Sequence, residues 1–224
     1  MADILQIGIS GLKASQAALT VTGHNITNAG TEGYNRQVLQ QSATSPQYLG
    51  GVWVGSGVSV DSITRVYDQF LTEQLWRDTS TFNGFEALAN GAGQIDSLLA
   101  DSGTGIQPGL ERMFGAMQSV VDDPASLPAR AVLLSESQGL VDRYHLINDR
   151  LAAQNNIVNG QLTTIAEQIT TLAKSIAELN QQIQYAASTA QGTKPNDLLD
   201  RRDVLVKELS IKVSVTVSNQ DDMV

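Results

Sequence analysis

The sequence has 224 residues, no cysteine and a formal net charge of −9, so it can hold one large or two small domains and cannot build a disulfide or a thiolate metal site. The acidity argues against nucleic acid or an anionic membrane as a main partner. With no basic segment ahead of an apolar one at the amino terminus, and no apolar run near the roughly eighteen residues of a membrane span, neither a cleaved signal peptide nor membrane insertion is expected.

Asp3 is placed to cap a first helix, whose apolar residues Leu5, Ile9, Leu12, Leu19 and Ile26 fall on a three-four lattice. Gly8, Gly11, Ala14, Ser15, Ala18 and Thr22 form a second face of small residues. Two readings stand: the helix contacts neighbouring subunits on both sides, or it packs on its own domain. In residues 25–36, Asn28, Gly30 and Gly33 accept positive φ, and the Asn and Thr side chains bond local backbone, so the helix ends in a specific multiple turn.

Residues 38–63 are rich in turns. Val52-Trp53-Val54 and Val58-Ser59-Val60 read as short strands flanking the Gly55-Ser56-Gly57 turn. Tyr48 and Trp53 are either contact anchors between subunits or ordinary hairpin packing. From residue 66 to 99 the period is helical, with Tyr67, Leu71, Leu75, Phe82, Phe85, Leu88, Ala92, Ile95 and Leu99 near one face. A shorter helix carries Ile106, Leu110, Met113, Met117 and Val120, and Asp122-Asp123-Pro124 ends it.

Ser126 and Pro128 start a long helix over residues 127–190. Its apolar positions repeat every 3.5 residues from Leu134 through Val141 and Tyr144 to Leu162, Ile165, Ile169, Leu172, Ile176, Leu179 and Ile183, a seam built to lie along another helix. At about 1.5 Å per residue the rod would be about 90 Å long. Asn196 is placed to cap a further helix, with Asp197 and Arg201, and Asp203 and Lys207, spaced as i,i+4 pairs on a solvated face. Ile211, Val213, Val215 and Val217 then alternate with Lys212, Ser214, Thr216 and Ser218, a strand pattern.

Catalytic chemistry finds no components. His24 and His145 are far apart in sequence, and the neighbouring carboxylates Asp122-Asp123 and Asp221-Asp222 do not converge on one substrate. The sequence therefore predicts a non-enzymatic protein without catalytic residues, cofactor or metal.

Asn25, Asn28, Thr31, Gly33 and Tyr34 match position by position a signature of the bacterial flagellar axial proteins, the rod, hook and hook-associated family, which the chain resembles along essentially its whole length. Thr27 stands where many relatives have Ala. The segment from Asn196 to Leu205 is similar to that of the hook-associated members at the hook–filament junction. The resemblance implies a mainly α protein, an elongated helical bundle with long coiled-coil-like helices, a small β arm and a strand at the carboxy-terminal end. Residues 1–33 would be the inner axial helix, 34–65 the connecting arm, 66–210 the bundle and 211–224 the start of a truncated outer β domain. It further implies a structural subunit of a helical tube, with Leu5, Ile9, Leu12, Leu19 and Ile26 at the subunit interface and residues 162–183 as the intrachain seam. The implied partners are copies of itself, the flagellar hook protein, a second junction protein and the flagellar export apparatus. The implied location is the extracellular flagellum, reached without a cleaved signal peptide. The alternatives are another axial protein of that family or a coiled-coil signalling or adaptor module.

Overall fold

A computed structural model describes residues 4–100, 105–189 and 194–218; the predicted cap at Asp3, the end of the long helix at Ala190 and the Asp221-Asp222 pair lie outside them. In chain order the elements are α1 (Ile4–Asn28), β1 (Gln37–Ala43), β2 (Gln47–Leu49), β3 (Val52–Val54), β4 (Val58–Arg65), α2 (Gln69–Ala100), α3 (Ile106–Asp122), α4 (Leu127–Thr189) and α5 (Asn196–Lys212). The protein is mainly α with a small β arm. It divides into two compact units, one of Met1–Ser80 with Ile169–Val224 and one of Thr81–Gln168.

The arm corrects the expected hairpin. Val52–Val54 and Val58–Arg65 are strands, but they do not pair with each other: β1 pairs antiparallel with β4, and β2 with β3 inside them. Gly50 and Gly51, at φ 57° and 95°, make the two-residue turn of the inner hairpin, since a pair of positive φ angles gives the twist that two-residue hairpins need. Gly57 serves contact instead of turning a hairpin. At φ 104° a Cβ there would lie 2.3 Å from Ser10 Oγ, so only glycine lets the arm approach α1 this closely. The Val58 amide donates to that hydroxyl at 3.2 Å.

In the first unit Trp76 of α2, Ile176 of α4 and Val206 of α5 form the core, with Leu205, Leu209, Val215 and Val217 packed on it. α5 is buried on most sides: Asn196, Leu199, Asp200, Arg202, Asp203, Val206 and Ser210 are all enclosed. Two expectations at its ends are corrected. Asn196 is not the cap but lies inside the helix, its amide donating to the Ile63 carbonyl at 2.9 Å. The strand expected over residues 211–217 is absent, because the helix runs through Ile211 and Lys212 and closes with the Val213 amide on the Leu209 carbonyl. Among the described residues no strand lies beside 213–218 to complete a ladder, and Val215 and Val217 turn back onto the core instead.

In the second unit α3 ends at Asp122, and Ser126 Oγ accepts the Ala129 amide to start α4. The predicted seam is displaced here by one residue. Leu134, Val141, Tyr144, Leu151 and Val158 are exposed, while Leu140 and Ile147 are buried. Gly109 of α3 sets this register, since a Cβ there would come within 2.9 Å of Arg143 and 3.1 Å of Leu140. Arg143 then lays its stem over α3 and donates to the Gly105 carbonyl at 2.9 Å. Along α2 the apolar residues Leu71, Leu75, Phe82, Phe85, Leu88, Ile95 and Leu99 point outward, and Thr72, Trp76, Thr79, Ser80 and Asn83 turn inward.

Candidate assembly site

The turn after α1 is built from its own side chains. Asn28 donates its amide to the His24 carbonyl at 3.0 Å, the Thr31 amide donates to the Asn28 carbonyl at 2.9 Å, and the Tyr34 amide to the Thr31 carbonyl at 3.2 Å. Of these the Asn28 carbonyl is one that the helix end leaves without an intrahelical partner, and the bonds to His24 and Thr31 fix the turn on either side of it. Asn25 reaches further. Its amide donates to the Gln37 carbonyl at 2.9 Å while its oxygen accepts the Gln37 amide at 2.8 Å and the Tyr34 hydroxyl at 2.7 Å. One side-chain amide thus treats the first residue of β1 as an adjacent strand would. Gly33, at φ 76°, is doubly constrained, because a Cβ there would lie 2.0 Å from Val204 Cγ2 of α5.

What the turn docks on is the acidic face of α5. Asp197, Asp200 and Asp203 recur every three residues and so share one side of the helix. Both oxygens of Asp200 accept from Asn35, the backbone amide at 2.9 Å and the side-chain amide at 2.8 Å. Arg65 Nη1, at the end of β4, donates to Asp200 Oδ1 at 2.8 Å and to Asp203 Oδ2 at 2.6 Å. The three side chains are only 11%, 7% and 9% exposed. Asp197 accepts from Gln37 at 2.8 Å and faces His24 at 3.3 Å, and Lys207 pairs with Glu32 at 3.1 Å. The expected i,i+4 pairs on a solvated face are therefore corrected for Asp203 and Lys207: α5 is enclosed, and their charges reach across to the arm and the turn.

The electrostatics fit a holding role. Burial alone would lower the pKa of Arg65, but the charge of Asp203, the hydrogen bonds it donates to Asp200 and Asp203 and the charge of Asp200 outweigh it and hold the guanidinium above its ordinary value. Its guanidinium carbon also lies 3.9 Å from the centroid of the Tyr67 ring. Burial, then Asp203, push the Tyr67 hydroxyl up; burial, then Asp197 and Asp200, do the same for Tyr34, which keeps it a hydrogen-bond donor to Asn25. Among the described residues no group of three or more His, Asp or Glu side chains could hold a metal ion. A groove of about 570 Å³ beside the turn is walled by Tyr34, Leu179, Val204 and Leu205.

Leu5, Ile9, Leu12, Leu19 and Ile26 all face outward, and even Ile9 is 44% exposed. The face of α1 turned inward carries Ile7, Ser10, Ala14, Ala17 and Val21 instead; of the expected small-residue face only Ala14 is buried, with Gly11 partly covered. Of the seam residues, Ile176 and Ile183 are buried, Ile165, Ile169, Leu172 and Leu179 are half-buried, and Leu162 is exposed. Arg65, Asn35, Asp200 and Asp203 were not singled out as a group from the sequence. The signal was present in three aspartates at three-residue spacing within a helix that also carries apolar residues all round.

Long helices, a β arm and an amino-terminal helix that ends in an Asn-x-x-Asn turn clamped to a later helix define a mainly α protein of the extended-helix class. The profile described as "Flagellar hook-associated protein FlgK helical domain" matches residues 92–224, and that of the "Flagella basal body rod protein" matches residues 5–35. This chain belongs to the flagellar hook-associated FlgK family. It is 36% identical over 221 residues to the flagellar hook-associated protein 1 of Salmonella typhimurium, covering 99% of this chain and 40% of that protein. It is 28% identical over 224 residues to the protein of the same name in Bacillus subtilis, covering 96% of this chain and 43% of that one. The flagellar hook protein FlgE of Helicobacter mustelae is 42% identical over 80 residues, 30% of this chain and 18% of that protein. The chain spans about two fifths of the hook-associated relatives it matches.

Proposed function

We propose that this chain is part of a structural, non-enzymatic subunit of the bacterial flagellum that joins the hook to the filament. The observation that carries this reading is the outward stripe of α1. Its residues Leu5, Leu12, Leu19 and Ile26 stay at least 68% exposed although the opposite face of the helix is anchored on the arm. An apolar stripe on an anchored helix is a contact surface in waiting. In this reading the stripe meets copies of the same protein in a helical tube, and the hook protein and a second junction protein are its neighbours along the axis. Residues 1–33 belong to the inner layer, 34–65 connect outward, and residues 66–210 form the bundle, with Leu162 to Ile183 as its internal seam. The protein reaches the cell exterior through the flagellar export apparatus without a cleaved signal peptide.

The test is Leu12→Asp with Leu19→Asp in the full-length protein, produced in cells that lack the native copy. Charges on the stripe are expected to abolish filament attachment and swimming while leaving the free protein folded. Cells that swim with attached filaments would contradict the proposal.

A further inference from the structure

The contacts around the α1 turn form a closed circuit. Asn25 holds Gln37 by both backbone groups, and Gln37 is the cross-strand partner of Arg65 in the β1–β4 ladder. Arg65 bridges Asp200 and Asp203 through a single nitrogen, and Asp200 returns to Asn35, ten residues after Asn25. Every signature side chain except the missing one of Gly33 makes a hydrogen bond inside this chain: Asn25 to Gln37, Asn28 to His24, Thr31 to Asn28, and Tyr34 to Asn25. Gly33 closes on Val204. The signature therefore has little left to offer another molecule.

We propose that Arg65 is the positioning residue of the amino-terminal helix: it locks residues 25–37 onto α5, so that the signature works within one chain and fixes the direction in which α1 presents its stripe. This deepens the assembly reading and rests on it for the purpose of the lock, though not for its existence. The chemistry singles out Arg65 because it is the cation that faces both carboxylates from the arm. The only other cation at an ion-pair distance from them among the described residues is Arg202, at 3.4 Å from Asp203. Without Arg65 the two enclosed carboxylates repel each other, the arm loses its grip on α5, and Asn35 loses a fixed acceptor.

The experiment is amide hydrogen exchange on the free full-length protein, comparing the wild type with Arg65→Met and with the charge-neutral variant Arg65→Met, Asp200→Asn, Asp203→Asn. In both variants the amides of Asn35 and Gln37 are expected to exchange at least about tenfold faster, while those of α3, in the other unit, stay within about twofold of wild type. Arg65→Lys, which restores a cation, is expected to recover part of the protection. Asn35 and Gln37 amides within twofold of wild type in either variant would overturn the lock. So would a uniform rise across α3 and residues 25–37 in both variants, because the proposal confines the effect to the circuit. The measurement reads the unassembled molecule, so it separates failure of the lock from failure of the stripe, which the Leu12 and Leu19 substitutions test.

Discussion

The two sides of the amino-terminal segment invert the usual partition of residues. The α1 stripe puts leucines and isoleucines outward, whereas the turn and α5 put asparagines, aspartates and arginines inward. Burying charge is costly unless every group is paired, and leaving apolar surface in water is unfavourable unless something covers it. The inner side meets its condition within the chain, with Arg65, Asp200, Asp203 and Asn35 satisfying one another. The outer side does not. A single protomer thus closes the Arg65 circuit within itself and leaves its apolar stripe open, so the direction of the stripe is set before anything covers it.

The comparison is broken most directly by Arg65→Met, which leaves two enclosed carboxylates facing each other and is expected to cost roughly 3 to 5 kcal/mol. Chemical denaturation checks this, and a loss below about 1 kcal/mol would put the inner side on the footing of an ordinary surface ion pair. Next comes Gly33→Ala, which combines left-handed backbone at φ 76° with a clash against Val204 and is expected to cost about 2 to 4 kcal/mol. Adding Val204→Ala should recover the packing part and not the backbone part, so a double-mutant cycle resolves the two. A smaller effect comes from pH. Tyr34 and Tyr67 have folded-state pKa values raised above the ordinary 10.0, so their contribution is fully present below pH 10 and is lost as pH climbs through the raised values. A thermal melting series from pH 8 to 11 should fall at the alkaline end, less so in Tyr67→Phe. The smallest change in stability is expected for Leu12→Ser, within about 0.5 kcal/mol, because the residue is 70% exposed. If Leu12→Ser instead melts the free protein as Arg65→Met does, the contrast between the two sides disappears.

Local chemistry was readable in the sequence wherever it sufficed. The turn at residues 25–36 follows from Asn, Thr and Gly preferences, the break between α3 and α4 from Asp123, Pro124 and Ser126, and the length of α4 from an unbroken helical period. What failed depended on partners far along the chain. Periodicity gives the apolar face of α2 but not its direction, and Phe82, Phe85 and Leu88 turned out to face outward. A seam one residue out in the first half of α4 follows from a glycine on another helix, Gly109, which a pattern within α4 cannot register. The valines of residues 213–217 alternate as a strand would, yet alternation cannot supply the neighbouring strand. The Arg65 circuit could not be assembled from the aspartate spacing alone for the same reason: its members are scattered over four elements and loops, and each alone looks like an ordinary surface polar residue.

Asn35 and Asp200 stand 165 positions apart, and Gln37 and Asp197 are separated by 160. Closing a loop of that span costs more chain entropy than the local bonds between Asn28 and Thr31, so the long-range contacts of the turn are expected to form after the local ones. The first helix and its turn can take shape as soon as they exist, but they have no fixed heading until α5 arrives to receive them. In this wiring the heading of the first helix depends on residues near the far end of the described chain.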